Sequence, residues 1–166
     1  HSRLASDVEG VVVGDVDEGM RQEIEQVAGA AGSLDRLTIR PWAGRDQIAQ
    51  EFRDATLLIF PSRWPETLGI VGLEALAHGV PVIGADIGGV REWLVPGETG
   101  LLYRAGDVDD LVLQTQSLMD DEAALQAMGG KGLDRIRELF SRERHIDRLL
   151  SIYGSTDGDD AEGTVR

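Results

Sequence analysis

Short apolar runs alternate with longer amphipathic stretches along most of the chain. The runs predict β-strands, because they are brief, rich in β-branched residues and stopped by glycine or proline. The predicted strands cover residues 11–13, 37–40, 56–60, 80–84 and 100–103. We expect the first to be a buried parallel strand and the third to be buried on both sides.

The stretches between these strands carry apolar residues three and four positions apart, which is the spacing of one helix face. Met20, Ile24 and Val27 show this spacing in the first stretch. The predicted helices cover residues 17–31, 45–54, 70–78, 108–128 and 133–153, with a short helical turn at 90–94. Gly129 and Gly130 are expected to break the chain between the last two helices.

This alternation predicts an α/β fold: a three-layer α/β/α Rossmann-like domain with a parallel sheet and right-handed crossovers. Ligands of such sheets bind outside the carboxyl ends of the strands. The loops expected there are 14–19, 41–45, 61–69, 84–90 and 95–100. We expect one domain over residues 1–153 and a disordered acidic tail over 154–166, where no apolar residue anchors the chain.

Composition excludes several classes of protein. With 166 residues, 42% of them hydrophobic, the chain can bury the core of one domain. No run approaches the ~20 apolar residues of a membrane span. The absence of cysteine excludes disulfides and cysteine nucleophiles, and three widely separated histidines predict no histidine-built metal centre.

The formal net charge is −14, and Lys131 is the only lysine. Such a chain is repelled by nucleic acid, so no nucleic-acid partner is expected. Acid-rich, lysine-poor composition is also typical of salt-adapted proteins, which we keep as a hypothesis about the source.

The densest chemical signal lies between Phe60 and Gly89. A predicted strand ends at Pro61, a polar loop follows, and Gly69 opens a helix. The first amides of a helix have no intrahelical acceptor and carry partial positive charge, and glycine lets an anion approach them closely. The sequence therefore predicts a phosphate-binding helix start without a lysine.

Two glutamates, Glu66 and Glu74, stand on either side of this helix start with seven residues between them. Glu74 is surrounded in sequence by Ile70, Val71 and Leu73, so we expect its carboxylate to need a partner. The two hydroxyls of a ribose are a suitable one, because a carboxylate can accept both hydrogen bonds.

Glu66-(x7)-Glu74, within PETLGIVGLEALAHGVPVIGADIGGVREWLVPGETGLLY, resembles the hallmark of the large GT4-type group of retaining GT-B glycosyltransferases. The resemblance extends from about Gly10 to Leu150 and includes VVVGD and RPWAGRDQIAQEFRDATLLIFPS. Leu68 departs from the pattern, because the family usually has an aromatic residue there. The family places this segment in the C-terminal domain that binds the nucleotide sugar.

The resemblance implies a role for each matching residue. Glu66 would contact the donor sugar, as the candidate catalytic residue, and Glu74 would hold the ribose hydroxyls. The distal phosphate would meet the backbone amides of Gly69, Ile70 and Val71. The nucleobase would lie beside Trp42, Ala43 and Gly44, with Ile48 helping to form its pocket. No residue is assigned as a nucleophile.

The family also has an arginine and a lysine that clamp the pyrophosphate, on a βα unit before the equivalent of Val11. Only Arg3 precedes Val11 among the cations of this chain, and in no recognisable motif. The resemblance thus implies that the first βα unit and an N-terminal acceptor domain are missing, and that the isolated fragment is inactive. It also implies a nucleotide-sugar substrate, no metal or other cofactor, and a cytoplasmic enzyme whose full-length form associates peripherally with the inner membrane face.

Three other classes remain open at this level. One is a GT-B protein that is not a transferase, such as a sugar-nucleotide epimerase. Another is a dinucleotide-binding module, although the loop from Gly14 to Gly19 is not G-x-G-x-x-G and its Asp17 and Glu18 would repel a pyrophosphate. The third is a degenerate, non-catalytic or regulatory nucleotide-binding α/β module. Two further features have alternative roles: Asp86 could cap its loop or approach a ligand, and the arginines near the end of the chain could form a solvated face or a docking surface.

Overall fold

The computed structural model describes residues 8–154, and strands alternate with helices there as predicted. The strands are β1 (Gly10–Val13), β2 (Leu37–Arg40), β3 (Leu58–Phe60), β4 (Val82–Ala85) and β5 (Gly100–Tyr103). The helices are α1 (Glu18–Ala30), α2 (Arg45–Asp54), α3 (Ile70–Ala77), α4 (Val108–Met119), α5 (Glu122–Leu139) and α6 (Arg142–Gly154). Short 3-10 turns span Leu34–Arg36 and Gly88–Glu92.

Of the predicted acidic tail over 154–166, residues 155–166 lie outside the described residues. The first residue of that range, Gly154, is the last residue of α6. Between residues 8 and 154, no helix combines the length and apolar character needed to span a membrane.

All strand pairs are parallel, which confirms the predicted α/β class. The strands form two sections, one ordered β1-β2 and the other β3-β4-β5. Val12 is in register with Ile39 in the first section, and Ile83 is in register with both Ile59 and Leu101 in the second. Within the described chain, β1 and β3 are each paired on one side only, so the sheet is not continuous.

β4 lies at the centre of the core and is buried along its whole length. Successive side chains of a strand point to opposite faces, and the two clusters of buried residues follow that rule. Val82 packs on one face with Ala75, Leu76 and Trp93. Ile83 packs on the other face in a cluster completed by Ala85, Tyr103, Leu118 and Leu125. The helices therefore cover both faces of this section, as in a three-layer α/β/α domain.

The predicted burial of two strands is wrong. Val11 in β1 is 48% exposed and Ile59 in β3 is 37% exposed. Within residues 8–154, each of these strands pairs with a neighbour on one side only. An apolar strand is buried on both faces only where neighbouring strands and helices surround it.

The predicted break at Gly129 and Gly130 is also wrong, because α5 continues through both residues. A Cβ at Gly129 would lie 2.1 Å from the Gly79 carbonyl oxygen, so the missing side chain lets α5 approach the end of α3. The chain instead breaks before Asp121, whose carboxylate accepts a hydrogen bond from Ala124 N at 2.9 Å and caps α5. It breaks again at Phe140, before α6.

Candidate functional site

The loop that joins β3 to α3 contains Glu66, whose side chain is half-buried. The hydroxyl of Ser62 lies 2.9 Å from Glu66 Oε1 and 3.2 Å from the Trp64 carbonyl oxygen. Within residues 8–154, no arginine or lysine forms an ion pair with Glu66. The carboxylate is thus oriented by a neutral donor and keeps capacity to accept hydrogen bonds from a ligand.

The first turn of α3 is shaped by Gly69, which has a left-handed φ of +79°. A Cβ at this position would lie 2.9 Å from Phe60 Cζ, so both conformation and space require glycine. Gly72 N donates to the Gly69 carbonyl at 3.0 Å and closes the first turn. The amides of Ile70 and Val71 precede this bond and have no acceptor within the helix. Their side chains are exposed, so an anion can reach this end of α3 from outside.

Glu74 lies on the same exposed side of α3 as Ile70 and Val71, which are four and three residues earlier. The expectation that apolar neighbours force Glu74 to find a partner is wrong. Ala75 and Leu76 point into the core, whereas the Glu74 side chain is exposed. The carboxylate is therefore solvated and open to a diol from outside.

The residues predicted to surround a nucleobase lie in and after the loop between β2 and α2. Trp42 is 70% exposed, and Ala43 and Gly44 are half-buried. Gly44 precedes α2, and its amide donates to Gln47 Oε1 at 3.1 Å. Ile48 packs against the same core cluster as Leu68 and Phe60, so it supports this loop from the side of the core.

The structure thus brings five of the predicted residues together on the β3–α3 loop and helix, and four on the β2–α2 loop and helix. The first group contains Glu66, Gly69, Ile70, Val71 and Glu74, and the second contains Trp42, Ala43, Gly44 and Ile48. Each group follows the carboxyl end of a parallel strand. The two groups share the core cluster around Phe52 as their common support.

A cavity of about 310 Å³ lies at the end of β1, lined by Gly14–Asp17, Arg21 and Pro41. Two of its lining residues, Asp15 and Asp17, are acidic. Asp17 also caps α1 by accepting a hydrogen bond from Met20 N at 2.9 Å. Against these two carboxylates the lining contains one arginine, Arg21, so its net charge is negative and disfavours a pyrophosphate, in keeping with the sequence-based objection to dinucleotide binding.

Several cations near the loops are already engaged. Arg91 donates to both carboxylate oxygens of Asp86, at 2.7 and 2.6 Å, and this hydrogen-bonded pairing raises the pKa of Arg91. Asp86 therefore has a structural partner in its own loop. The guanidinium of Arg135 donates to the carbonyl oxygens of Trp93 and Glu92, each at 3.0 Å, so it has a structural role within the domain.

Sequence reasoning missed Ser62, which is the direct partner of Glu66. In the sequence, the only sign of this contact is that Ser62 stands four residues before Glu66, and such a pair is common. Among residues 8–154, no group of three or more histidine, cysteine, aspartate or glutamate side chains is placed to hold a metal ion.

Comparison with known proteins gives matches over most of the chain. The family model described as "Glycosyl transferases group 1" matches residues 2–135. The D-inositol 3-phosphate glycosyltransferase of Rhodococcus opacus (strain B4) is 36% identical over 128 residues, which are 77% of this chain and 28% of that protein. The lipopolysaccharide core biosynthesis mannosyltransferase LpsB of Rhizobium meliloti (strain 1021) is 33% identical over 135 residues, 80% of this chain and 38% of that protein.

Among solved structures, Anabaena HepE in complex with UDP superposes with a TM-score of 0.84 at 22% identity, covering 93% of this chain and 43% of that one. This likeness supports the fold. The chain spans 28% and 38% of the lengths of the two curated relatives above, so it corresponds to a part of proteins of that size.

Proposed function

The chain belongs to the glycosyl transferases group 1 family, and from that membership we propose that it forms the nucleotide-sugar-binding domain of a retaining, GT4-type glycosyltransferase. In the whole enzyme, the bond between the anomeric carbon and the diphosphate oxygen breaks. An acceptor hydroxyl bonds to that carbon with retained configuration. The nucleoside diphosphate leaves with the bonding electron pair and takes up the proton that the hydroxyl loses. We propose that an N-terminal domain supplies the acceptor site.

The observation that carries this proposal is the start of α3. Two open amides, a left-handed glycine and the exposed carboxylate of Glu74 share one side of a helix that follows a parallel strand. The helix start suits the distal phosphate, because the amides and the helix dipole favour an anion there. Glu74, one turn further, suits the two ribose hydroxyls, which need an acceptor rather than a cation.

Glu66 and the β2–α2 loop complete the proposed donor site. Glu66, oriented by Ser62, would accept hydrogen bonds from the hydroxyls of the sugar. Trp42, Ala43 and Gly44 would border the nucleobase, supported by Ile48. No metal is required in this proposal, because helix amides stabilise the negative charge of the leaving diphosphate. We place the enzyme in the cytoplasm, which suits a chain without cysteine, with peripheral association of the full-length form at the inner membrane face as part of the same proposal.

Calorimetric titration of this chain with UDP, GDP and ADP tests the proposal. We expect at least one nucleotide to bind and Glu74→Ala to weaken its Kd by about tenfold or more, since each lost hydrogen bond to a charged group is worth about 1.5–3 kcal/mol. Glu138→Ala, on the exposed side of α5, is the matched control and should leave the Kd unchanged. Equal affinities of wild type and Glu74→Ala would contradict the assigned role of Glu74.

A further inference from the structure

The loop that joins β3 to α3, residues 61–69, is called the Glu66 loop below. Its backbone is in contact with a second segment, residues 88–93, which follows β4. Gly89 N donates to the Glu66 carbonyl oxygen at 2.8 Å. This bond fixes the peptide that follows Glu66, the residue proposed to contact the sugar. The position of Glu66 therefore depends on a segment more than 20 residues away in sequence.

The contact leaves no room for a side chain. A Cβ at Gly88 would lie 2.4 Å from the Glu66 carbonyl oxygen and 2.7 Å from Glu66 N. A Cβ at Gly89 would lie 2.2 Å from the Thr67 carbonyl oxygen. Gly88 also has a left-handed φ of +59°, which favours glycine. Backbone thus meets backbone here, and any larger residue has to displace the Glu66 loop.

Trp93 holds the far end of the same loop. Its indole N–H donates to the Leu68 carbonyl oxygen, and the side chain has no exposed surface. The ring of Phe60 packs against Trp93 edge to face, with centroids 6.1 Å apart. Since the Trp93 carbonyl accepts a hydrogen bond from Arg135 of α5, the segment is fastened to the core on its other side.

We propose that residues 88–93 act as a seat for the Glu66 loop and so determine recognition of the sugar part of the donor, separately from the nucleotide. The seat touches the loop at Glu66, Thr67 and Leu68, and the Trp93 ring also packs against Gly72 of α3. The Gly88 and Gly89 contacts are with the loop alone. Glu74 lies beyond these contacts, on the exposed side of α3. Displacing the loop therefore affects Glu66 more than Glu74. Gly88, Gly89 and Trp93 are positioning residues in this proposal, which rests on the proposed function of Glu66.

The test compares the Kd of a nucleoside diphosphate with the Kd of the corresponding nucleotide sugar. The pairs are UDP with UDP-glucose and GDP with GDP-mannose. The ratio of the two Kd values measures what the sugar adds to binding. For wild type we expect one of the two nucleotide sugars to bind about tenfold more tightly than its free diphosphate. One hydrogen bond to a charged group contributes about this much to binding. Gly89→Ala should bring this ratio close to one while changing the Kd of the free diphosphate by less than about threefold.

A second glycine separates positioning from general destabilisation. A Cβ at Gly132 would lie 2.7 Å from Leu76 Cδ2, so Gly132→Ala also crowds the core, but away from the Glu66 loop. It should lower stability and keep the wild-type ratio. If Gly89→Ala does not fold, Trp93→Phe removes the donor to Leu68 and keeps an aromatic ring, and should lower the same ratio.

The outcomes are distinct. A Kd ratio of one in wild type, or an unchanged Kd ratio in Gly89→Ala and Trp93→Phe, contradicts the positioning role of residues 88–93. Neither result contradicts the proposed binding of the nucleotide. A ratio that falls equally in Gly132→Ala also contradicts the positioning role, because the effect would then be one of stability. If neither diphosphate binds to wild type, the proposed function fails and the seat fails with it.

Discussion

Gly72 lies in α3 directly beneath the indole of Trp93. A Cβ at this position would lie 2.1 Å from Trp93 Cη2, and the ring is wholly buried and cannot move into solvent. Overpacking of a closed core costs about 1–3 kcal/mol, whereas alanine gains at most about 1 kcal/mol over glycine in a helix. We therefore expect Gly72→Ala to lower the free energy of unfolding, measured by urea denaturation.

Gly130→Ala is the matched control for this change. Gly130 lies inside α5, is exposed, and has no atom within 4 Å of the place of a Cβ. The same substitution should therefore raise the free energy of unfolding, through helix preference alone. A similar gain in Gly72→Ala would contradict the tight contact between α3 and Trp93.

At this scale the sequence predicts candidate residues but not their surroundings. Spacing and the family resemblance predict Glu66, Gly69 and Glu74 as site residues, and these roles stay predictions. The exposure of Glu74 could not be predicted, because α3 is apolar on most sides and its periodicity does not indicate which side meets the sheet. The seat contacts, between Gly89 and Thr67 for example, join distant parts of the chain and leave no local signal.

Among the helices and strands, α4 has a first turn that is stabilised by the negative charge of one carboxylate. Asp110, in its first turn, accepts hydrogen bonds from Arg104 N at 2.7 Å and from Gln114 Nε2 at 3.1 Å. The bond from the Arg104 backbone is the main cause that lowers the pKa of Asp110, followed by Gln114. A carboxylate with a lowered folded-state pKa contributes stability that is present above its unfolded pKa and lost as pH falls through the folded value.

We expect Asp110→Asn to lower Tm at neutral pH, because the variant lacks the charge that these donors favour. The Tm difference from wild type should shrink as pH falls below about 4, the ordinary aspartate value. Circular dichroism melting across this range measures it. Asp134→Asn, on the exposed side of α5, is the control and should retain the pH dependence of wild type. A Tm difference that is constant with pH would show that Asp110 does not act through its charge.

Element boundaries were predictable where side chains cap the chain locally. Asp17, for example, marks the start of α1 within one residue of the prediction. The boundary between α4 and α5 was missed, since helical spacing of apolar residues continues across Asp120 and Asp121. The opposite error arose at Gly129, where a glycine that weakens a helix locally allows close packing against Gly79. That reason is tertiary and cannot be read from the local pattern.

For the whole molecule, burial is uneven between the two sections of the sheet. Between residues 8 and 47 only Ala28 and Ser33 are buried, whereas β4 is buried throughout. Local opening is easiest where few apolar groups are buried. We therefore expect the amides of β1 and β2 to exchange with deuterium faster than those of β4, measured by mass spectrometry of peptic peptides under native conditions.

The strand β5 is the internal control, because in the part of the chain that the structure describes it also pairs on one side only, but it belongs to the buried section. Its amides should exchange more slowly than those of β1. Equal protection of β1 and β4 would mean that the two sections open as one unit, contrary to this expectation.

The fold class and the parallel pairing were predictable from the alternation of strands and helices, which is a local property. The division of the sheet into two sections was not. Whether β1 and β3 have neighbours on both sides depends on which strands are present to pair with them, and neither strand's own residues carry that information. The exposure of Val11 and Ile59 follows from the same cause.

The three tryptophans divide the molecule in a way that is useful for spectroscopy. Trp42 and Trp64 are 70% and 80% exposed on two loops at the proposed donor site, whereas Trp93 is sealed in the core. Light emitted by an indole depends on the polarity around it, so the outer pair reports what covers those loops and the inner one reports unfolding. Intrinsic fluorescence can therefore follow ligand binding and loss of structure separately, without an attached dye.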